Sequence, residues 1–215
     1  MKSGILTLLA LLAVMMLPGQ AAAQKGLTSA FFVNAGMGQG RMSMELASLD
    51  AQPASIGNPA PSPSSTTATG GEFGAGHVFD QPVLVEGAYN KLGSFSYRNP
   101  SPVPTVGVSI KATAWSLFGV GTLPISSGLS AFGKLGLAYT QLKANAVELL
   151  VHNNSTNKMN FAWGLGAQHD FTQNLAVRLE YENFGNVGSA PNFTAGTGIV
   201  MGTTSVIFLG GLYRF

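Results

Sequence analysis

Few residues in this chain are able to do chemistry. It holds nine Asp and Glu, eleven Lys and Arg, three His and no Cys. Without Cys, disulfides, thiolate metal sites and thiol nucleophiles are excluded. His77, His152 and His169 sit on three separate segments. His152 has Ser155 close after it and Glu148 four residues before it, the residue types of a Ser–His–acid hydrolase. No Gly-x-Ser-x-Gly elbow accompanies them, so a lipid-modifying enzyme is the weakest expectation and no catalytic residue is assigned. His77 and His169 lie near short turns without the ligand spacing of a metal site, so no metal or cofactor is expected. The stretch "GMGQG" at 36–40 has no Lys after it and sits in a strand pattern, which excludes a phosphate-binding loop.

Charge is concentrated in "LAVRLEYENF", residues 175–184. Leu175, Val177, Leu179 and Tyr181 alternate with Ala176, Arg178, Glu180 and Glu182, the period of a β-strand. In a soluble protein the apolar face packs on a core. In a membrane barrel it faces lipid, and the charges turn inward because a lipid-facing charge costs about 2–4 kcal/mol at the midplane. The same phase places Glu86, Lys134, Gln168, Asp170 and Arg214 inside. Buried charges of mixed sign persist only when paired, so Glu86, Arg178, Lys134, Glu180, Glu182 and Asp170 are expected to form a salt-bridged core. Eight strands give an interior that side chains just fill, which favours a plug over an open pore.

The elements that must position these charges follow from composition and pattern. Charged residues are 9% of the chain, against about 25% in an average soluble domain. Gly is abundant, at 28 of 215 residues, without the strict period of collagen. A formal charge of +2 with no Lys/Arg cluster excludes a nucleic-acid stripe. Lys2, the apolar run Ile5 to Leu17, the Pro18-Gly19 break and Ala21-Ala22-Ala23 spell a cleavable export signal over 1–23. After it no run long enough for a transmembrane helix appears, so membrane entry requires a closed barrel.

Period-two alternation marks strands at about 30–39, 72–79, 83–92, 105–123, 129–143, 159–171, 175–184 and 204–215. In the fourth, strict alternation is lost around Trp115. Short turns at 80–82, 124–128 and 172–174 alternate with longer segments at 41–71, 94–104, 145–157 and 186–203. This long–short rhythm is what a transmembrane barrel with short periplasmic turns and long external loops requires. The 41–71 loop contains a Pro/Ser/Thr/Gly-rich segment with too few apolar side chains to order itself. Phe79, Phe171, Tyr213 and Phe215 fall near one rim, and Tyr89, Tyr139, Phe161 and Tyr181 nearer the other, as two interfacial belts. The expected fold is therefore all-β, an eight-stranded antiparallel up-and-down transmembrane β-barrel over residues 24–215.

"FAWGLGAQHDFTQNLAVRLEYENFGNVGSA", residues 161–190, and the terminal "GLYRF" resemble the OmpA-like transmembrane barrel family. The resemblance implies an outer-membrane location and an assembly signal in the last strand, carried by Tyr213 and Phe215 and read by the barrel assembly machinery. It implies that Glu86 and Arg178 form part of an internal ion-pair gate. Gln168 stands where the family has a sixth-strand carboxylate, and the family's fourth-strand lysine has no clear counterpart. The peptidoglycan-binding domain that often follows such barrels is not expected here. The expected role is a monomeric barrel in outer-membrane lipid that supports the envelope and presents loops, with no nucleic-acid partner. A narrow pore for ions or small solutes, and loop-mediated recognition of a surface ligand, are the rival expectations.

Overall fold

The computed structural model describes residues 30–45, 62–80, 82–98, 107–146, 154–193 and 197–215. The expected export signal, the centre of the expected 41–71 loop, and His152 with Glu148 lie outside the described residues. Eight strands are present: β1 (Ala30–Glu45), β2 (Ser62–Ser65 and Thr67–Asp80, interrupted at Thr66), β3 (Val83–Arg98), β4 (Gly107–Ser126), β5 (Leu129–Ala146), β6 (Asn154–Asp170), β7 (Leu175–Phe193) and β8 (Thr197–Arg214). Each pairs antiparallel with its sequence neighbours, and β1 pairs with β8 to close the ring. The seam ends where the Phe215 backbone N–H donates to Phe31 O at 2.9 Å. Closure leaves no edge strand, which is the condition for β-structure in lipid.

Alternation fixes the two faces. Phe31, Met37, Phe73, Leu117, Leu123, Leu135, Leu137, Phe161 and Leu165 point out and are each more than half exposed. Phe32, Phe118, Phe132, Ala162, Phe208 and Leu212 point in and are buried. A soluble protein would not present a continuous outer surface of large apolar side chains. The alternation that looks lost at Trp115 persists: Ala112, Ala114, Ser116 and Phe118 face in while Trp115 and Leu117 face out. Small inward residues conceal the pattern in the sequence, because Ala and Ser are chosen here to leave room for larger neighbours.

Phe73, Tyr89, Trp115 and Tyr139 are successive cross-strand neighbours on the outer face, forming an aromatic row across β2 to β5. Leu129 and Tyr139 are ten residues apart on β5. At about 3.3 Å per residue and a tilt of about 40°, that spans roughly 25 Å, the height of a bilayer's apolar band. The opposite rim carries Phe31, Phe79, Phe171, Tyr213 and Phe215, with Tyr213 and Phe215 packed edge to face at 5.2 Å.

The strands run past the aromatic row further than alternation indicates. The expected loop at 186–203 is mostly ladder: Ala190 pairs with Ile199 and Phe193 with Thr197. Residues 41–45, 67–71, 94–98, 145–146 and 154–158 are likewise strand, so the external connections are shorter than expected. At the other end the turns are tight, and Gly128 closes one of them at φ 78°, where an L side chain would be strained.

Candidate functional site in the barrel lumen

The inward faces of β3, β5 and β7 converge on one buried ionic network. Lys134 Nζ on β5 lies 2.6 Å from Glu86 Oε1, 2.6 Å from Glu180 Oε2 and 2.8 Å from Glu182 Oε1. Arg178 Nη1 on β7 lies 2.6 Å from the second Glu86 oxygen. Glu86 is thus a bridge between the two cations, and all five side chains are buried. Lys134 and Glu182 meet across Gly164 of the intervening strand β6, which pairs with both.

The aromatic support of this network depends on glycine. A Cβ at Gly76 would lie 2.3 Å from the Phe32 ring, and one at Gly166 would lie 2.3 Å from the Phe132 ring. The absent side chains let both rings lie flat against neighbouring strands. Arg178 Cζ then sits 4.7 Å from the Phe132 centroid and 5.6 Å from that of Phe32. Desolvated cation–π contacts of this kind add to the ion pairs and hold the guanidinium plane in place.

The network continues towards the short-turn rim. Arg178 Nε donates to Gln168 Oε1 at 2.8 Å, Gln168 Nε2 donates to Asp170 Oδ1 at 2.9 Å, and Arg214 Nη2 pairs with the same oxygen at 2.8 Å. Gln168 both accepts and donates, a role that an ionised carboxylate in its place could not fill. The amide substitution therefore links Arg178 to the rim pair. Of the charged residues the sequence singled out, Glu86, Lys134, Arg178, Glu180 and Glu182 meet in the central network, and Asp170 pairs with Arg214 at the rim. Lys134, on β5, takes the central cationic position among three carboxylates.

Six polar lumen residues were not among the sequence's site candidates: Glu72, Asn34, Asn90, Ser116, Thr140 and Thr204, all buried. Asn34 Nδ2 donates to Glu72 Oε1, and Asn90 Nδ2 donates to Ser116 Oγ at 2.9 Å. Glu72 shares its face of β2 with Gly74, Gly76 and Val78, so little in the sequence marks that face.

Above the charges, Met42, Leu92, Phe95, Ile110, Leu142, Phe184 and Val187 form a buried apolar layer between the network and the loop end. Below, a cavity of about 30 Å³ opens between Phe32, Gln168, Arg178 and Arg214. It has room for a water or two and none for a solute. Outside, Arg41, Lys91, Lys111 and Lys143 lie exposed beyond the aromatic row, with Lys158 at its level. The acidic side chains Glu72, Glu86, Asp170, Glu180 and Glu182, by contrast, point into the lumen.

The sequence matches the family described as Outer membrane protein beta-barrel domain over residues 7–215. The chain belongs to this family. This outer-membrane barrel is similar in fold to Neisserial surface protein A, at 12% identity and a TM-score of 0.58, covering 86% of this chain and 97% of that one. The outer membrane protein OprG of Pseudomonas aeruginosa matches at 12% identity and a TM-score of 0.54, covering 87% and 96%. The attachment invasion locus protein Ail of Yersinia pestis, solved in complex with the heparin analogue sucrose octasulfate, matches at 16% identity and a TM-score of 0.53, covering 88% and 100%. No curated protein sequence matches. The outer membrane is the location that family and neighbours share.

Proposed function

We propose that this protein is a closed, non-conducting outer-membrane barrel whose work is structural: it supports the envelope and holds its external connections at the cell surface. The observation that carries this reading is the doubly sealed lumen. A buried ionic network fills its middle, an apolar layer covers that network, and the cavity below it towards the short-turn rim measures about 30 Å³. Glu86 and Arg178 act in this reading as a plug rather than as a gate. Conductance of the refolded barrel in a planar bilayer tests it, after heat-modifiable gel mobility has shown that it is folded. The expected trace is silent. Steady, ion-selective steps that change in Glu86→Gln would replace this reading with a narrow pore.

The exterior supports a second role, recognition of an anionic surface ligand at the loop end. Arg41, Lys91, Lys111 and Lys143 are exposed there, and Lys111 is directly opposite Lys143 across the β4–β5 ladder. Like charges in directly opposed positions destabilise a sheet, so a cationic pair kept there suits an anionic partner. A sulfated polysaccharide is the partner class this surface fits. Retention on heparin resin is expected to fall with rising salt and to drop in the Lys111→Gln/Lys143→Gln variant. Equal retention of variant and parent would remove the recognition role from these residues.

A further inference from the structure

The lumen network does not balance. Glu72, Glu86, Glu180 and Glu182 supply four formal negative charges, and Lys134 and Arg178 supply two positive ones. Asp170 and Arg214 cancel each other at the rim. Two negative charges in excess, buried away from water, are strongly unfavourable unless protons neutralise them or a counter-charge joins them.

The excess has a location. Glu72, Glu180 and Glu182 each offer a carboxylate oxygen, and these three oxygens lie within 4.8 Å of one another. Any two oxygens bound to one ion at about 2.4 Å are separated by no more than about twice that distance, so the spacing suits a hard cation of calcium size. A second observation points the same way. Oε2 of Glu72 and Oε2 of Glu182 are buried with no hydrogen-bond donor among the described residues. Their sister oxygens are engaged, Glu72 Oε1 by Asn34 and Glu182 Oε1 by Lys134, so the side chains are oriented and only the remaining oxygens are free. Buried acceptors are nearly always satisfied.

We propose that Glu72, Glu180 and Glu182 form a buried site for one divalent cation, with Ca²⁺ as the best fit. Oxygen-only ligands favour Ca²⁺ or Mg²⁺ over softer metals. Irregularly spread carboxylates suit the flexible coordination of Ca²⁺ better than the octahedron of Mg²⁺. One such ion cancels the excess charge. It also joins β2 to β7, which are separated in the ring by β1 and β8. Sequence spacing conceals this site, because its ligands come from strands more than a hundred residues apart.

The test is to refold the barrel in uncharged detergent with CaCl₂ or with EDTA, desalt it, and measure bound Ca²⁺ and the urea midpoint. The wild type is expected to retain about one equivalent of Ca²⁺ and to unfold at a higher urea concentration than the EDTA sample. Glu72→Gln/Glu182→Gln, checked for folding by gel mobility, is expected to retain less than a tenth of an equivalent and to give the same midpoint in both buffers. If that double variant does not fold, Glu72→Gln alone serves, with at least a tenfold loss of affinity expected. A wild-type barrel that retains no Ca²⁺ and unfolds identically in both buffers overturns the proposal, and protons then balance the charge. Equal retention by the amide variant also overturns it, because the ion would then sit elsewhere.

Discussion

Arg178 is held by Glu86, by Gln168 and by two phenylalanine rings, with no exposed surface to fall back on. Arg178→Met removes one of two lumen cations and leaves Glu86 half-paired. Breaking a buried pair from one side costs about 3–5 kcal/mol. Glu86→Met/Arg178→Met restores the charge difference to its original value, and Lys134 keeps Glu180 and Glu182. The double variant is therefore expected to be more stable than Arg178→Met in a urea series. Two variants of equal stability would mean that Glu86 and Arg178 are not energetically coupled. At this scale the sequence was informative wherever a charge stood in a clearly alternating strand, as Arg178 does between Val177 and Leu179. It was less so at Glu72, which is flanked by Gly70, Gly71, Gly74 and Gly76. Glycines erase the apolar marks that would have shown which face Glu72 shares.

At the scale of the element, strand centres were legible and strand ends were not. Outward Leu, Phe, Trp and Tyr announce the lipid-facing part of each strand, because lipid selects for apolar groups there. Past the aromatic row that selection stops on the outer face, while the hydrogen-bonded ladder continues into water. Residues 186–203 therefore read as a loop although most of them are paired. Bulges add a second difficulty. In β3 the register shifts between Lys91 and Gly93, with Gly93 at φ 123°, and Leu92 and Phe95 both end up buried. A one-residue change of parity flips the face assignment of everything after it. The apolar layer that seals the loop end lies partly beyond such shifts, with Val187 after the Asn183/Asn186 bulge of β7. Alternation alone thus revealed the charged half of the plug and hid the apolar half.

At the scale of the whole molecule, the question is which surface meets lipid. The ring of eight strands leaves Leu135 62% exposed, near the middle of the span between Leu129 and Tyr139. Gln141 lies two residues beyond Tyr139 on the same outward face. If the outer surface lies in a bilayer, a charge at these two positions meets very different surroundings. Leu135→Arg is expected to lose about 2–4 kcal/mol in vesicles, the midplane cost of arginine on a barrel. Gln141→Arg is expected to lose no more than about 1 kcal/mol, because the guanidinium reaches the interface. Urea refolding into phospholipid vesicles measures both. In uncharged detergent micelles, which adapt around a charge, the gap between the two variants is expected to narrow. Similar losses in vesicles would mean that Leu135 does not face the hydrocarbon. The inward charges would then need another explanation, since it is the cost of charge in lipid that drives Arg178, Glu180 and Glu182 into the lumen.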